Sequence, residues 1–205
     1  MKVSVYSIAK NEEQFVERWY DSAKDADHIS ILDTGSTDNT VSIAESLGIE
    51  VVTFIQDPWR FDVARNASLN ILPEDMNYCI ALDMDEVLLP GWREELEKAL
   101  EAGVTRPRYK YTWSWKSPGV PGLQYGGDKI HSRHGYKWKH PVHEVLVPTI
   151  EEKQGWFDLE IHHYPDNTKS RGQYLPLLEL AVEEDPEDDR NTHYLAREYF
   201  FNGRL

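Results

Sequence analysis

Cysteine is nearly absent from this sequence, with Cys79 the only one among 205 residues. A single cysteine cannot form an intramolecular disulfide, and it leaves no cysteine-based zinc site. Long apolar runs are also missing, and none approaches the roughly 20 residues that a membrane-spanning helix needs. The first eight residues are too short and too polar for a signal peptide. We therefore expect a soluble, cytoplasmic protein that folds without covalent cross-links.

Positive charge is scarce as well, because 22 Lys and Arg residues face 36 Asp and Glu residues and the formal net charge is −14. Such a surface repels phosphate backbones and anionic lipid, which argues against a nucleic-acid binder or a peripheral membrane protein. A local basic pocket for one phosphorylated ligand stays compatible with this charge. The glycine fingerprint of dinucleotide folds and the Walker sequence are missing too, which disfavours a nicotinamide-dependent enzyme and an NTPase.

The remaining composition is that of a folded domain, with 40% hydrophobic and 12% aromatic residues. Over the first 82 residues, β-branched runs alternate with amphipathic stretches in the order strand, helix, strand, helix, strand, helix, strand. This alternation predicts an α/β fold with a mostly parallel sheet and helices on both faces. Further along we predict a helix over 92–102, aromatic strands over 108–116 and 157–163, and a mobile loop over 117–127. From about residue 170 the pattern is helical.

Two carboxylates directly follow the fourth predicted strand. Asp83 and Asp85 lie two positions apart on an extended chain, so they can share one hard cation, directly or through its waters. Ligands of open α/β sheets bind beyond the carboxyl ends of the strands. The alternative is a solvated acidic turn, and the position after an apolar strand favours the metal site.

A second polar stretch, DTGSTD at residues 33–38, ends the second predicted strand at the same edge of the sheet. Asp33 suits ligand binding there, while Thr37 or Asp38 suits the capping of the next helix. Arg65 is one of few basic residues in the first 90. It either faces a bound nucleotide or forms a surface ion pair of little energetic value.

Histidines and tryptophans mark the second half of the chain. His162 and His163 end a predicted strand, where alternation sends their rings to opposite faces, so at most one of them is directed at the site. Trp113 and Trp115 are expected to share one face. They either pack in the core or form a platform for a sugar ring.

In order and content these stretches resemble the family 2 glycosyltransferases of the GT-A fold. Two nucleotide loops of that family are similar to IAKNEE at 8–13 and DTGSTDNT at 33–40, its third contact to ARN at 64–66, and its DxD metal motif to DMD at 83–85. The resemblance covers roughly residues 1–165. It implies a Rossmann-like domain that transfers a sugar from a nucleotide-sugar donor, usually a UDP-sugar, with inversion and with Mn²⁺ or Mg²⁺.

The resemblance also implies roles for individual residues. Asp33 would hydrogen-bond the uracil with the aid of Ala9 and Arg65, and Asp83 would face the ribose or the metal. The implied nucleotide-binding residues are Ala9, Asn11, Glu12, Asp33, Gly35, Arg65, Asp83 and Met84. The implied metal ligands are Asp83, Asp85 and a late histidine, for which His163 is preferred over His162 and His143.

An inverting transferase needs a general base, which in this family commonly stands in an x-Glu-Asp sequence after a glycine-rich loop. No such sequence follows the glycine-rich stretch within residues 1–165, and VHE at 142–144 is the nearest equivalent. Glu144 is therefore the expected base, with Asp128 next. The expected acceptor or sugar contacts are Trp113, Trp115 and His143, and the expected acceptor is a saccharide or a glycosylated surface.

Residues 166–205 resemble part of a tetratricopeptide array, and we expect this tail to pack on the catalytic domain at 1–165 and to offer a surface for a protein partner. Two alternative functions stay open at this point. One is a nucleotidyltransferase, although its usual Gly- and Lys/Arg-rich N-terminal loop is missing. The other is a non-catalytic sugar-nucleotide-binding scaffold, against which the intact Asp33, Arg65, Asp83 and Asp85 speak.

Overall fold

The computed structural model describes residues 1–166, 172, 174–201 and 203. Its helices are α1 (Val16–Ala23), α2 (Thr40–Ser46), α3 (Phe61–Asn70), α4 (Trp92–Glu101), α5 (Tyr174–Glu184) and α6 (Asp189–Phe201). Its strands are β1 (Val3–Ala9), β2 (His28–Asp33), β3 (Glu50–Thr53), β4 (Tyr78–Ala81), β5 (Glu86–Leu88), β6 (Arg106–Thr112), β7 (Trp115–Ser117), β8 (Val120–Pro121), β9 (Gln124–Gly127), β10 (Ile130–Ser132), β11 (Tyr136–Lys139), β12 (Val145–Pro148) and β13 (Gln154–His163). Within the described part of the chain, no helix is both long and apolar enough to cross a membrane.

The central sheet has five strands in the order β10-β4-β1-β2-β3. The first four strands of the chain pair in parallel, and β10 joins the edge in the antiparallel sense beside β4. Alternate residues of β1 enter two hydrophobic clusters, one with Val16 and Trp19 of α1 and the other with Leu69 of α3. Helices therefore cover both faces, and the predicted α/β fold with a mostly parallel sheet is confirmed.

A smaller sheet follows in the order β5-β13-β6-β9. We call its two sides the front face and the back face. The front face carries Tyr109, Leu159 and Ile161, which are buried in the main core together with α1 and α4. The back face carries the alternate residues of the same strands, such as Glu160 of β13, and it is only partly covered.

The predictions for residues 108–127 are wrong in two respects. The aromatic strand is two strands, because the chain bends after Thr112 and β7 begins only at Trp115. The stretch 117–127 is not a plain loop, since it contains β8 and β9, and β9 pairs with β6. The bend is held by hydrogen bonds between Ser114 and the backbone of Gly122 and Leu123.

The C-terminal helices pack on the rest of the chain. Leu177 and Leu178 of α5 form a small cluster with Val142, and Tyr194 of α6 packs against it. Ion pairs reinforce this contact, because Arg60 binds Glu184 and the Lys139 amine lies 2.9 Å from an Asp185 oxygen. The expected packing of the tail on the preceding residues is therefore found, although the predicted helix start near residue 170 lies outside the described residues.

A buried hydrogen-bonded chain joins the central sheet to β11. The Trp138 indole donates to the Tyr6 hydroxyl over 3.1 Å, and Tyr6 donates to Nε2 of His131 over 3.0 Å. Nδ1 of His131 donates to the Ser132 carbonyl over 2.7 Å. Burial lowers the pKa of His131 to about 4, and the nearby guanidinium charges act in the same direction. His131 is therefore held as a neutral imidazole.

We expect this histidine to make the protein acid-sensitive. The unfolded chain, with an ordinary histidine pKa of about 6.5, takes up the proton first as the pH falls. The stability held by neutral His131 is thus present above pH 6.5 and is lost towards pH 4, at a cost of about 2–3 kcal/mol by pH 4.5. Urea unfolding at pH 7.5 and 4.5 measures this loss, which His131→Gln should largely remove. The exposed neighbour His134→Gln is the control, and equal losses in wild type and His131→Gln would contradict the assignment.

Candidate active site

Three strand ends gather the candidate residues at one edge of the central sheet. Ala9 of β1 lies beside Asp33 of β2 in the parallel register. On the other side of β1, β4 runs into Asp83 and Asp85. Because the carboxyl ends of parallel strands meet at one edge, residues far apart in sequence are brought together here.

Asp33 shapes the turn that follows β2. Its side chain is almost fully buried, and its carboxylate accepts hydrogen bonds from the backbone N–H groups of Gly35 at 3.2 Å and Ser36 at 3.1 Å. Gly35 has a φ of 101°, and a Cβ there would lie 3.1 Å from Cδ1 of Ile55. This left-handed position requires glycine, so Asp33 and Gly35 together fix a tight turn against Ile55.

The two predicted nucleotide loops are tied to each other. The Asn11 backbone N–H donates to the Ser36 hydroxyl over 2.9 Å, and the Asn11 side-chain oxygen accepts from the Thr37 N–H over 2.7 Å. The Glu12 N–H donates to the Thr40 hydroxyl over 2.7 Å. Ala9, Asn11, Glu12, Asp33 and Gly35 therefore lie together at one edge of the sheet, with Ala9 and Asp33 almost fully buried.

Arg65 lies between two carboxylates. Its Nη2 is 2.5 Å from an oxygen of Asp83, and its Nε is 3.0 Å from an oxygen of Glu144. The guanidinium is buried and also lies over the Trp138 ring at 5.2 Å. Burial opposes ionisation of Asp83, but the charges of Arg65 and Lys129 outweigh it and lower the Asp83 pKa. Asp83 is thus an anion held by two cations.

Lys129 extends this row of charges, and sequence analysis did not identify it. Its amine lies 2.8 Å from Asp83 and 2.6 Å from Glu86, and the Tyr111 hydroxyl donates to the same Glu86 oxygen over 2.6 Å. Burial and the neighbouring Asp83 charge raise the Glu86 pKa. Lys129 reaches this position because it directly precedes β10, the antiparallel strand beside β4. A strand added to a sheet edge from so far along the chain has no local sequence signal.

Asp85 and His163 form the second part of the site. Nε2 of His163 lies 3.2 Å from an Asp85 oxygen, while Nδ1 donates to the Trp113 carbonyl over 2.9 Å. That second bond fixes the tautomer and directs the Nε2 lone pair towards Asp85 when the ring is neutral. Burial lowers the His163 pKa, but the bonds to Asp85 and Trp113 outweigh burial, and the net pKa is raised.

The donor chemistry of this pair fits a divalent cation. One carboxylate oxygen and one imidazole nitrogen are ligands that Mn²⁺ accepts, and two protein ligands leave room for oxygens of a bound phosphate group. Asp83 is not placed with them, since its two oxygens bind Arg65 and Lys129. Accordingly, the described residues contain no group of three or more acidic, histidine or cysteine side chains arranged around a cation position.

The two histidines at the end of β13 lie on opposite faces, as alternation predicted. His163 stacks on Trp113 at 4.4 Å on the front face, whereas His162 contacts Trp115 at 4.8 Å on the back face. The prediction that Trp113 and Trp115 share a face is therefore wrong. The bend between β6 and β7 interrupts the two-residue alternation on which that prediction relied.

Met84 and His143 lie apart from these groups. The Met84 side chain is buried in the main core. His143 has a left-handed φ of 50° and stacks on Tyr194 of α6 at 4.1 Å, while its carbonyl accepts a hydrogen bond from Arg190. The residue after it, Glu144, is the one bound to Arg65. Helix α6 thus contacts the loop that carries Glu144, the expected base, through the preceding residue His143.

Comparison with known proteins gives a consistent result. A family model described as glycosyl transferase family 2 matches residues 4–141. The lipopolysaccharide core biosynthesis glycosyltransferase LpsC of Rhizobium meliloti is 26% identical over 72% of this chain and 58% of its own length. A TPR repeat-containing protein of Synechococcus elongatus is 33% identical over 91% of this chain and 49% of its own.

Solved structures share the fold. The crystal structure of a mycobacterial protein superposes with a TM-score of 0.57 at 18% identity, covering 82% of this chain and 68% of that one. At this identity the likeness concerns the fold alone. The chain spans between 32% and 58% of the length of the curated relatives it matches.

Proposed function

The chain belongs to glycosyl transferase family 2 and has the GT-A fold, and from this premise we propose that it transfers a sugar from a UDP-sugar to an acceptor hydroxyl, with inversion and with a divalent metal. The observation that carries the proposal is the row Glu144–Arg65–Asp83–Lys129 beside the Asp85–His163 pair. It combines a candidate base, two cations and a candidate metal site at the carboxyl ends of the strands.

The proposed metal ligands are Asp85 and His163, with Mn²⁺ or Mg²⁺ as the cation. Bound there, the cation would neutralise the negative charge that develops on the departing diphosphate. Asp83 would serve the same end indirectly, because it holds Arg65 and Lys129 beside the diphosphate position. The charges of Arg65 and Lys129 are balanced by Asp83, Glu144 and Glu86, so the metal would supply the further positive charge that a diphosphate needs.

Glu144 is the proposed general base. Arg65 fixes its carboxylate through a single bond from Nε. A carboxylate has about four lone-pair sites, so Glu144 keeps the capacity to accept the proton of an acceptor hydroxyl. The hydroxyl oxygen then attacks the anomeric carbon from the side opposite the diphosphate, which gives inversion in a single displacement.

The nucleotide is proposed to lie at the edge of the sheet formed by Ala9, Asn11, Glu12, Asp33 and Gly35. Asp33 would accept the uracil imide N–H in addition to the two backbone donors that it binds. Trp113, stacked on His163, is the proposed aromatic contact of the transferred sugar. The name of the LpsC relative supports a saccharide acceptor, and that of the TPR protein supports a tetratricopeptide-like tail.

Thermal unfolding with nucleotide and metal tests this function. A ligand at about 100 times its Kd stabilises the native state by about 2.7 kcal/mol. For a chain of this size, we expect UDP with Mn²⁺ to raise Tm by roughly 5–10 °C. UDP with excess chelator should raise Tm much less, and GDP with Mn²⁺ should be weaker than UDP. Equal shifts with and without chelator would contradict the metal role, and equal shifts with GDP would contradict the uracil assignment.

A further inference from the structure

A pocket of about 640 Å³ lies on the back face of the small sheet, between the β7–β8 hairpin and the end of β13. Its lining includes Trp115, Glu160, His162 and Tyr164. His163, the candidate metal ligand, and Tyr111, which bonds to Glu86, belong to the front face, since each is adjacent in sequence to a back-face residue. The pocket therefore lies on the opposite side of the small sheet from the His163 side chain, although the backbone N–H of Tyr164 in its lining donates to the Asp85 carbonyl over 2.8 Å. Its volume lies within the range of small-molecule sites.

One wall of the pocket is aromatic and held in place. The rings of Trp115 and Tyr164 are parallel within 8°, with centroids 5.4 Å apart. The Trp115 indole N–H donates to the His163 carbonyl over 2.9 Å, and the Arg18 guanidinium lies 4.8 Å from the Tyr164 ring centre. These contacts fix both rings before any ligand arrives, so little side-chain entropy remains to be lost on binding.

The polar floor of the pocket is formed by Glu160 and His162, whose side chains bond to each other. The Glu160 carboxylate accepts hydrogen bonds from Lys110 at 2.5 Å, His162 at 2.8 Å and Thr112 at 3.2 Å. Lys110 and Thr112 lie outside the pocket and hold the Glu160 carboxylate in place, so the pocket itself offers a fixed carboxylate and a fixed imidazole to the hydroxyl groups of a ligand.

We propose that this back-face pocket binds a neutral saccharide. A sugar ring has a C–H face that stacks on an aromatic side chain and a rim of hydroxyl groups that both donate and accept. A phosphorylated or carboxylated ligand is disfavoured by the Glu160 carboxylate, and a purely apolar ligand would cover Glu160 and His162 without offering them a hydrogen bond. The proposal needs no donor or metal at the front face. This role rests on the proposed function: the pocket would hold one part of a long saccharide acceptor and so raise the effective concentration of the rest of that acceptor at the proposed transfer site.

Affinity electrophoresis tests the proposal with four soluble neutral polysaccharides, namely an α-glucan, a β-glucan, a mannan and a galactan, each cast into a native gel. We expect at least one of them to retard the wild-type protein. Trp115→Ala removes the aromatic wall, and Glu160→Gln disturbs the polar floor. Each variant should bind the retarding polysaccharide at least about ten-fold more weakly, a loss of about 1.4 kcal/mol.

Trp156→Ala is the matched control, because Trp156 is also on β13 and is 67% exposed but lies outside the pocket. It should be retarded like the wild type, and melting curves should show all variants folded. The proposal is overturned if no polysaccharide retards the wild type, if both pocket variants run like it, or if Trp156→Ala loses as much affinity as Trp115→Ala. The UDP and Mn²⁺ shifts belong to the front face, so their failure would contradict the proposed function and leave this result standing.

Discussion

Replacing Glu144 with glutamine is expected to slow sugar transfer by at least about a hundred-fold while UDP affinity stays within a few-fold of wild type. Glutamine keeps the size of the side chain and an oxygen that still accepts from Nε of Arg65. It cannot accept a proton from the acceptor hydroxyl. The loss therefore concerns a group that acts in the transition state, and it should fall on kcat far more than on nucleotide binding.

The matched control is Glu152→Gln. Glu152 forms an ion pair with buried Arg106, and its side chain is 16% exposed against 14% for Glu144. The two substitutions thus disturb equally buried Arg–Glu pairs, one in the proposed site and one remote from it. Near-normal turnover in Glu144→Gln, or a joint loss of stability and UDP affinity, would show that Glu144 is structural. Asp128 would then be the next candidate base.

Asp85→Asn is expected to remove the dependence of UDP binding on Mn²⁺ and to reduce transfer by at least about a hundred-fold. Asparagine still bonds to His163 but lacks the negative charge that holds a divalent cation. Metal neutralisation of the leaving diphosphate is worth several kcal/mol in the transition state, which corresponds to a loss of this size. Calorimetric titration of UDP with Mn²⁺ and with chelator measures the first effect.

Asp27→Asn serves as the comparison for this variant. The Asp27 side chain is 35% exposed and bonds to Arg93, whereas that of Asp85 is 29% exposed and bonds to His163. A change at Asp27 alters stability without approaching the strand ends that carry the site. If the UDP affinity of Asp85→Asn still differs between Mn²⁺ and chelator as much as that of the wild type, the metal is bound elsewhere.

The central sheet and its polar strand ends could be predicted because their signals are local. Each of the first three strands is a short run rich in β-branched residues, and each is followed by a helix with its own apolar spacing. Parallel pairing then places Asp33 and Asp83 at one edge whatever the rest of the chain does. The placement of His162 and His163 on opposite faces could be predicted for the same reason, because alternation within one strand needs no tertiary information.

The contacts of Lys129 and Tyr111 with Asp83 and Glu86 could not be predicted in this way. Lys129 reaches Asp83 only because β10 joins β4, and Tyr111 reaches Glu86 only because β13 lies between β5 and β6. Such pairings join segments tens of residues apart. The placement of Trp115 failed for a different reason, namely that hydrogen bonds of Ser114 bend the chain inside one aromatic run.

The contact between α6 and the loop before Glu144 makes two distant equilibria depend on each other. Arg190 and Tyr194 hold His143, and the next residue binds Arg65 at the proposed diphosphate position. Whatever coupling free energy these contacts carry is reciprocal by thermodynamic linkage. A nucleotide that tightens Arg65 against Glu144 must stabilise the docked state of α6 by that amount. A molecule that binds only undocked α6 must weaken nucleotide binding by the same factor.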